Sequence, residues 1–351
     1  MSAERLRIGL ISPVWFPVPP TGYGGIEWIV WLLADGLVQA GHDVSLFASG
    51  DSRTQARLVS VYDIAPSELI GTSIVELHHA LACFERAGEF DVINDHSGLP
   101  AAALGGAVAT PTLHTVHGPL DSVGGIVYEQ IARVSPQVGL ISVSMNQRKP
   151  KPDLPWVANC PNALDLALYP FKPHRGDYLL FVGRMSPDKG CHRAIEVAIA
   201  AGLPLKIAGK KREPAEQAYF DELVAPRLDG DIEYLGEVTH DEKVELLQNA
   251  RATLFPIDWE EPFGLVMIES MACGTPVIAT KSGAVPEVVE NGRSGIIVDD
   301  YREMAAAIEE ADRLDPAVLR RFAEERYSPE RMVADYVAAY SHAVIRAKEP
   351  R

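Results

Sequence analysis

The residues best suited to chemistry are two carboxylates eight positions apart, Glu261 and Glu269, in the stretch from Phe255 to Ala279. Leu265, Val266, Met267, Ile268, Met271 and Ala272 predict a helix from about Phe263 to Gly274 that is apolar on nearly every side, and therefore buried. Glu269 lies inside it. A buried carboxylate needs partners: a core Arg would serve structurally, and a vicinal pair of hydroxyls is a group from which it can accept twice. Glu261 precedes the helix, beside the free amides of Gly264 and Leu265, where an anion is favoured and where a carboxylate can also simply complement the helix dipole. One short unit thus offers a hydroxyl receptor, a phosphate seat and a second carboxylate.

The segment Gly183-Arg-Met-Ser-Pro-Asp-Lys-Gly190 is the second chemical signal. Ser186 suits an N-cap and Pro187 a first helical position, which predicts Lys189 in the first turn. A cation there opposes the helix dipole by about 0.3 to 1 kcal/mol, so an anion is expected nearby. Asp188 can supply it. A diphosphate held by Arg184 and Lys189 is the functional alternative.

In the first half, His117 stands at the carboxyl end of a strand and is followed by Gly118 and Pro119, where ligands bind in open α/β sheets. His114 alternates with Val116 along that strand and reads as a packed or supporting group. His96 is a weaker candidate. Gly24 and Gly25 let backbone approach a phosphate or sugar closely at a helix start, or else permit a tight strand-to-helix turn. They are not G-x-G-x-x-G, so a dinucleotide fingerprint is absent. The loop from Pro13 to Gly22, with Tyr23 beyond it, carries Trp15, Phe16 and Tyr23, aromatic faces on which an acceptor sugar ring can stack.

These groups need a scaffold. Apolar runs at Leu6–Ser12, Val44–Ala48, Asp91–Asn94, Pro111–Val116, Val138–Val143 and Pro155–Cys160 predict parallel strands, the first two joined by an amphipathic helix ending near Ala40. Leu166 to Asp177 is Pro-rich and aperiodic, a natural boundary. A fresh β-α alternation starts at Tyr178–Gly183 and continues through Leu205–Ala208, Ile232–Leu235, Ala252–Pro256 and Gly295–Val298. The expected fold class is α/β, with two Rossmann-like domains, residues 1–165 and 166–327, facing each other across a cleft, followed by residues 328–351.

Composition bounds the partners. The 351 residues are 47% apolar, ample for two cores, and 48 acidic against 32 basic residues give a net charge of -16. That balance argues against nucleic acid and against general attraction to anionic membranes. Arg148-Lys-Pro-Lys151 is the one basic cluster and reads as a solvated loop. No apolar run approaches the length of about 20 residues that spans a bilayer, and the N-terminus lacks a secretory pattern. Cys83, Cys160, Cys191 and Cys273 have no metal spacing and read as reduced core thiols of a cytoplasmic protein.

The E-x7-E pair running into Met-Ala-Cys-Gly-Thr-Pro-Val-Ile-Ala and Gly-Ala-Val-Pro-Glu, together with Gly-Arg-x-x-x-x-Lys-Gly at 183–190, resembles retaining nucleotide-sugar glycosyltransferases of family 4, which have the GT-B fold. The likeness covers most of the chain. It implies transfer of a hexosyl unit from a UDP- or GDP-linked sugar to a hydroxyl of a sugar, small-molecule or lipid-linked acceptor, with peripheral membrane contact possible for the last. Donor contacts are implied for Gly24, Gly25, Gly183, Phe263, Gly264, Leu265 and Glu269 and for the main chain of Glu237 and Val238. Arg184, Lys189, Glu261 and His117 are implied at the reacting centre, His117 near the reacting carbon of the donor sugar. The resemblance also implies that the last helix, about Pro329 to Ile345, packs back on the first domain. No cofactor beyond the donor and no metal is expected, since no Asp-x-Asp metal signature stands where it would be expected. Two departures stand out: Ala163 replaces a usual Gly in Pro161-Asn-Ala-Leu-Asp165, and Lys210, Lys211 and Arg212 follow Gly209 where Gly-x-Gly is common. Rival readings are an epimerase or phosphorylase on the same fold, an inactive donor-binding subunit and, weakest, a nicotinamide dehydrogenase.

Overall fold

The computed structural model describes residues 5–22 and 24–348. The chain forms two compact units, one built from the residues up to Ala163 and those from Pro329 onward, the other from Leu164–Ser328.

The first unit is a seven-stranded sheet of β1 (Arg7–Ile11), β2 (Asp43–Phe47), β3 (Arg57–Val59), β4 (Val92–Asp95), β5 (Thr112–Thr115), β6 (Gly139–Ser142) and β7 (Trp156–Asn159). Its strand order is β3-β2-β1-β4-β5-β6-β7, and every pairing is parallel. Helices α1 (Gly25–Gln39), α2 (Ser73–Phe84), α3 (Leu99–Leu104) and α4 (Val123–Val134) make the crossovers. Parallel strands covered on both faces are apolar throughout, which is why the buried runs predicted them. The edge strand β3 escaped that reading because its three residues include Arg57 and are only partly buried.

The second unit is a six-stranded parallel sheet of β8 (Tyr178–Val182), β9 (Leu205–Ala208), β10 (Ile232–Gly236), β11 (Ala250–Phe255), β12 (Val277–Thr280) and β13 (Gly295–Val298). The order is β10-β9-β8-β11-β12-β13. Its helices are α5 (Cys191–Ala201), α6 (Pro214–Tyr219), α7 (His240–Asn249), α8 (Leu265–Cys273), α9 (Val285–Val288), α10 (Met304–Ala311) and α11 (Pro316–Arg326). The core joins Phe181, Ile195, Ile207, Leu254, Ile278 and Met304 across the sheet.

The last helix, α12 (Pro329–Lys348), belongs to the first unit. Gly36 makes this crossing possible, since a Cβ there would stand 2.6 Å from Val333 Cγ2. From α12, Tyr336 and Tyr340 are fully buried and donate to Thr115 Oγ1 (3.4 Å) and Asn94 Oδ1 (2.6 Å).

Two local expectations are corrected. Helix α5 starts at Cys191, capped by Gly190 in the left-handed region (φ 76°), so Ser186 is not its N-cap and Lys189 is not in its first turn. Met185 is fully buried and draws the preceding loop inward, leaving Ser186 Oγ buried without a partner among the described residues. Lys189 stands just before that cap, outside the helix. Helix α8 begins at Leu265, two residues later than predicted, because Gly264 is also left-handed (φ 85°). That positive φ is what calls for glycine at this turn.

Candidate active site

In the second unit the strand order turns at β8, which has β9 on one side and β11 on the other. The carboxyl ends of two such strands are where open α/β sheets bind ligands. Residues 183–190 leave β8 and residues 256–264 leave β11, and the two loops interlock. Asp258 N donates to Asp188 O at 3.0 Å, Arg193 Nη1 donates to Pro256 O at 3.0 Å, and a Cβ on Gly190 would lie 2.3 Å from Pro256 O. Gly183 is approached from the other side, since a Cβ on Gly209 would fall 1.8 Å from Gly183 O.

This interlock brings Lys189 to Glu261. Lys189 Nζ lies 2.5 Å from Glu261 Oε2, Trp259 Nε1 donates to the same oxygen at 3.1 Å, and the ammonium sits 4.4 Å from the centre of the Trp259 ring. Glu261 is only 7% exposed, so the cation and the indole compensate its burial. The turn through Gly283 backs it: Ala284 N donates to Glu261 O at 2.9 Å, and a Cβ on Gly283 (φ 57°) would stand 2.2 Å from Glu261 N. Arg184, half-buried on the same loop as Lys189, has Asp188 Oδ2 at 3.4 Å. That is the partner named from sequence, at a distance that leaves a weak bond.

Helix α8 is buried from Met267 to Cys273, while Gly264, Leu265 and Val266 are partly open. The amides of Gly264 and Leu265 meet no acceptor among the described residues, the ordinary condition of a helix start and the basis of anion binding there. Phe263 is buried against Tyr327. Glu269 keeps only 7% exposure and meets no Arg among the described residues. Its Oε1 accepts from Tyr169 Oη and Lys243 Nζ, each at 2.7 Å, and Oε2 has no donor among the described residues. Burial and the adjacent Glu269 carboxylate push the Tyr169 phenol well up, so it remains a donor. Arg320 instead donates to Ala272 O (2.9 Å), near the far end of α8.

Glu237 and Val238 follow Gly236, whose φ of 79° turns the chain out of β10. Glu237 pairs with Arg212 at 2.8 Å. Lys210 is buried against Glu213 and Glu216, and Lys211 lies over Phe220, so intramolecular partners occupy this basic run.

In the first unit the order turns at β1, between β2 and β4. Gly24, with φ 146°, caps α1, and a Cβ there would meet Pro20 at 2.8 Å and Glu27 Oε2 at 3.0 Å; Gly25 is the first helical residue. Glu27 is 4% exposed, and burial raises its carboxyl to about 8. His117 emerges just past β5, partly open, with its Nε2 2.9 Å from His96 Nδ1. Burial and nearby His114 push its pKa down to about 3. His114 is packed inside, bonded to Asp95 and to Tyr128 Oη. Trp15 is 7% exposed and packs with Val14 and Val75, whereas Phe16 is the more open ring; Tyr23 lies outside the described residues.

Sequence reasoning missed Tyr169, Lys243 and Trp259. Trp259 lay in view as an aromatic two residues before Glu261. Lys243 and Tyr169 come from other elements and carry no local signal.

Sequence profiles match over most of the chain: "Glycosyltransferase Family 4" over residues 23–156 and "Glycosyl transferases group 1" over residues 170–326. The chain belongs to the family 4 glycosyltransferases. This glycosyltransferase is 28% identical to glycogen synthase of Mycobacterium tuberculosis, over 94% of this chain and 91% of that one. It is 29% identical to phosphatidyl-myo-inositol mannosyltransferase of Mycolicibacterium smegmatis, over 91% and 89%. Among solved structures it resembles AviGT4, a glycosyltransferase involved in avilamycin A biosynthesis, with a TM-score of 0.73, 28% identity and coverage of 97% and 98%. Its two parallel-sheet α/β units are those of GT-B enzymes, and it is a nucleotide-sugar glycosyltransferase; these relatives do not favour the epimerase, phosphorylase, inactive-subunit and dehydrogenase readings. No helix of the described residues is long and apolar enough to cross a membrane.

Proposed function

We propose that this glycosyltransferase moves a hexosyl unit from a UDP- or GDP-linked sugar to an acceptor hydroxyl with retention at the anomeric carbon, and that the donor is held mainly by the second unit. Arg184 and Lys189 neutralise the diphosphate, and the amides of Gly264 and Leu265 take its remaining oxygens or those of the sugar. Glu269 accepts from the ribose hydroxyls through Oε2. Gly183 gives the phosphates close approach to backbone, Phe263 packs beneath the turn, and the main chain of Glu237 and Val238 meets the base. Glu261 and His117 position the transferred sugar, and Gly24 and Gly25 border the phosphates. The acceptor, whether sugar, small molecule or lipid-linked alcohol, lies toward Phe16, Trp15 and Tyr23.

In the reaction the acceptor oxygen bonds to the anomeric carbon as the bond from that carbon to the phosphate oxygen breaks, on one face of the ring. The acceptor proton passes to the leaving phosphate. Family membership supports this retaining course. Among the described residues no three of His, Cys, Asp and Glu are grouped to hold a metal. In this reading the leaving charge is met by Arg184, Lys189 and the start of α8. The four cysteines are buried and unpaired, which fits a reducing cytoplasmic setting.

The observation that carries the reading is the Lys189–Glu261 contact at the turning point of the second sheet, a cation and a carboxylate within 2.5 Å on interlocked loops. The test is a thermal-shift panel of UDP, GDP, ADP and their sugars on the purified chain, followed by turnover with the best donor. Ligand at about a hundred times its Kd stabilises by about 2.7 kcal/mol. One base class is therefore expected to raise the Tm on the order of 5 °C, and its sugar to be consumed when acceptors are supplied. No shift with any nucleotide would contradict the reading.

A further inference from the structure

A buried chain of hydrogen bonds runs from the C-terminal helix to His117, and its polarity follows from one fixed amide. Asn94 is fully buried, and its Nδ2 lies 3.3 Å from Leu113 O and 3.2 Å from Thr115 Oγ1. A backbone carbonyl only accepts, so the amide nitrogen must face Leu113 and Oδ1 must face the other way. That oxygen accepts from Tyr340 Oη at 2.6 Å and lies 2.9 Å from His96 Nε2. His96 Nε2 must then carry a proton. His96 is 2% exposed, and burial together with neighbouring His117 and His114 lowers its pKa well below the usual range. It is neutral, and its Nδ1 is a lone pair. Facing that lone pair at 2.9 Å is His117 Nε2, which must be the donor.

We propose that Asn94 and His96, anchored by Tyr340, are positioning residues that hold His117 in its Nε2–H tautomer and present its Nδ1 as an acceptor for a hydroxyl of the transferred sugar. His117 is the one member of the chain that is partly open, so its free nitrogen is the end that a ligand can meet. The remaining neighbours leave this polarity intact. Asp95 is taken up by His114 and Ser97, His114 Nε2 by Tyr128, and Tyr336 touches His96 through its ring and bonds Thr115. Such a site selects against a donor sugar lacking that hydroxyl, because the bound sugar then covers the acceptor and leaves it unpaired.

The inference rests on His117 contacting the donor sugar, and the test separates the two. Nitrogen-15 spectra of histidine-labelled protein, with His117 assigned from His117→Gln, read the tautomer without substrate. Nε2–H with an unprotonated Nδ1 is expected at both His96 and His117, and Nδ1–H at either overturns the chain. His96→Phe keeps the ring volume but not the polarity, whereas His96→Gln offers Nε2 to Asn94 and Oε1 to His117. His96→Phe is expected to lower kcat about tenfold with a smaller change in donor KM, and His96→Gln to recover most of that loss. A purely structural role gives the reverse order, and an equal or better His96→Phe overturns the proposal. Where a variant fails to fold, the wild-type spectrum decides. His117→Ala at full activity would remove the sugar contact while leaving the tautomer assignment standing.

Discussion

Replacing Lys189 with alanine is expected to lower kcat by about 10² to 10³-fold, the range seen when one preorganised group stabilising transition-state charge is removed. As the C1–oxygen bond breaks, negative charge grows on the departing diphosphate. Lys189 and Arg184 are the cations the structure sets on the loop after β8, at the turn in strand order. The substitution also leaves Glu261, 7% exposed, with the Trp259 indole as its only side-chain donor among the described residues. A loss of stability of about 1 to 3 kcal/mol is expected from that alone. Lys189→Arg separates the effects, since it keeps a cation for Glu261 and should hold the Tm near wild type while kcat still falls, because the guanidinium cannot reproduce a point charge at the same place. The check is steady-state kinetics beside thermal melts. A Lys189→Ala enzyme with unchanged kcat removes Lys189 from the reaction.

Glu269→Ala is expected to raise donor KM by about 10 to 100-fold with little change in kcat, the cost of about 1.5 to 3 kcal/mol for hydrogen bonds to a charged group. The ribose is remote from the reacting carbon and is bound equally in the ground and transition states, so its loss appears in KM. The variant also frees Lys243 Nζ and Tyr169 Oη, both 2.7 Å from Glu269 Oε1 in the native chain. Lys243→Met is therefore the companion: it removes the ammonium, leaves Oε2 in place, and is expected to cost less donor affinity than Glu269→Ala. Comparing each nucleotide with its 2′,3′-dideoxy form locates the effect, because Glu269→Ala should bind both alike.

Much of this architecture was legible because parallel strands buried on both faces are continuous apolar runs. The helix carrying Glu269 was legible for the same reason, since no polar face interrupts Met267 to Cys273. The 183–190 loop was less so. Ser186-Pro187 has the local chemistry of a helix start, but burial of Met185 and the left-handed turn at Gly190 override it and move the helix to Cys191. Partner choice was hidden as well. Glu269 was expected to meet an Arg or a ligand, and Lys243 and Tyr169 reach it from 26 and 100 positions away. Spacing within a segment cannot reveal such pairs. His96 ranked below His117 because its importance depends on Asn94 and Tyr340, which only the fold brings together.

The most direct test of the central claim is a crystal structure with the nucleoside diphosphate that gives the largest thermal shift. The diphosphate is predicted on Arg184, Lys189 and the amides of Gly264 and Leu265, with Lys189 Nζ drawn from Glu261 toward phosphate and both ribose hydroxyls on Glu269. A nucleotide bound elsewhere, or one bound here with Lys189 still closed on Glu261 and Glu269 Oε2 facing no hydroxyl, would contradict it.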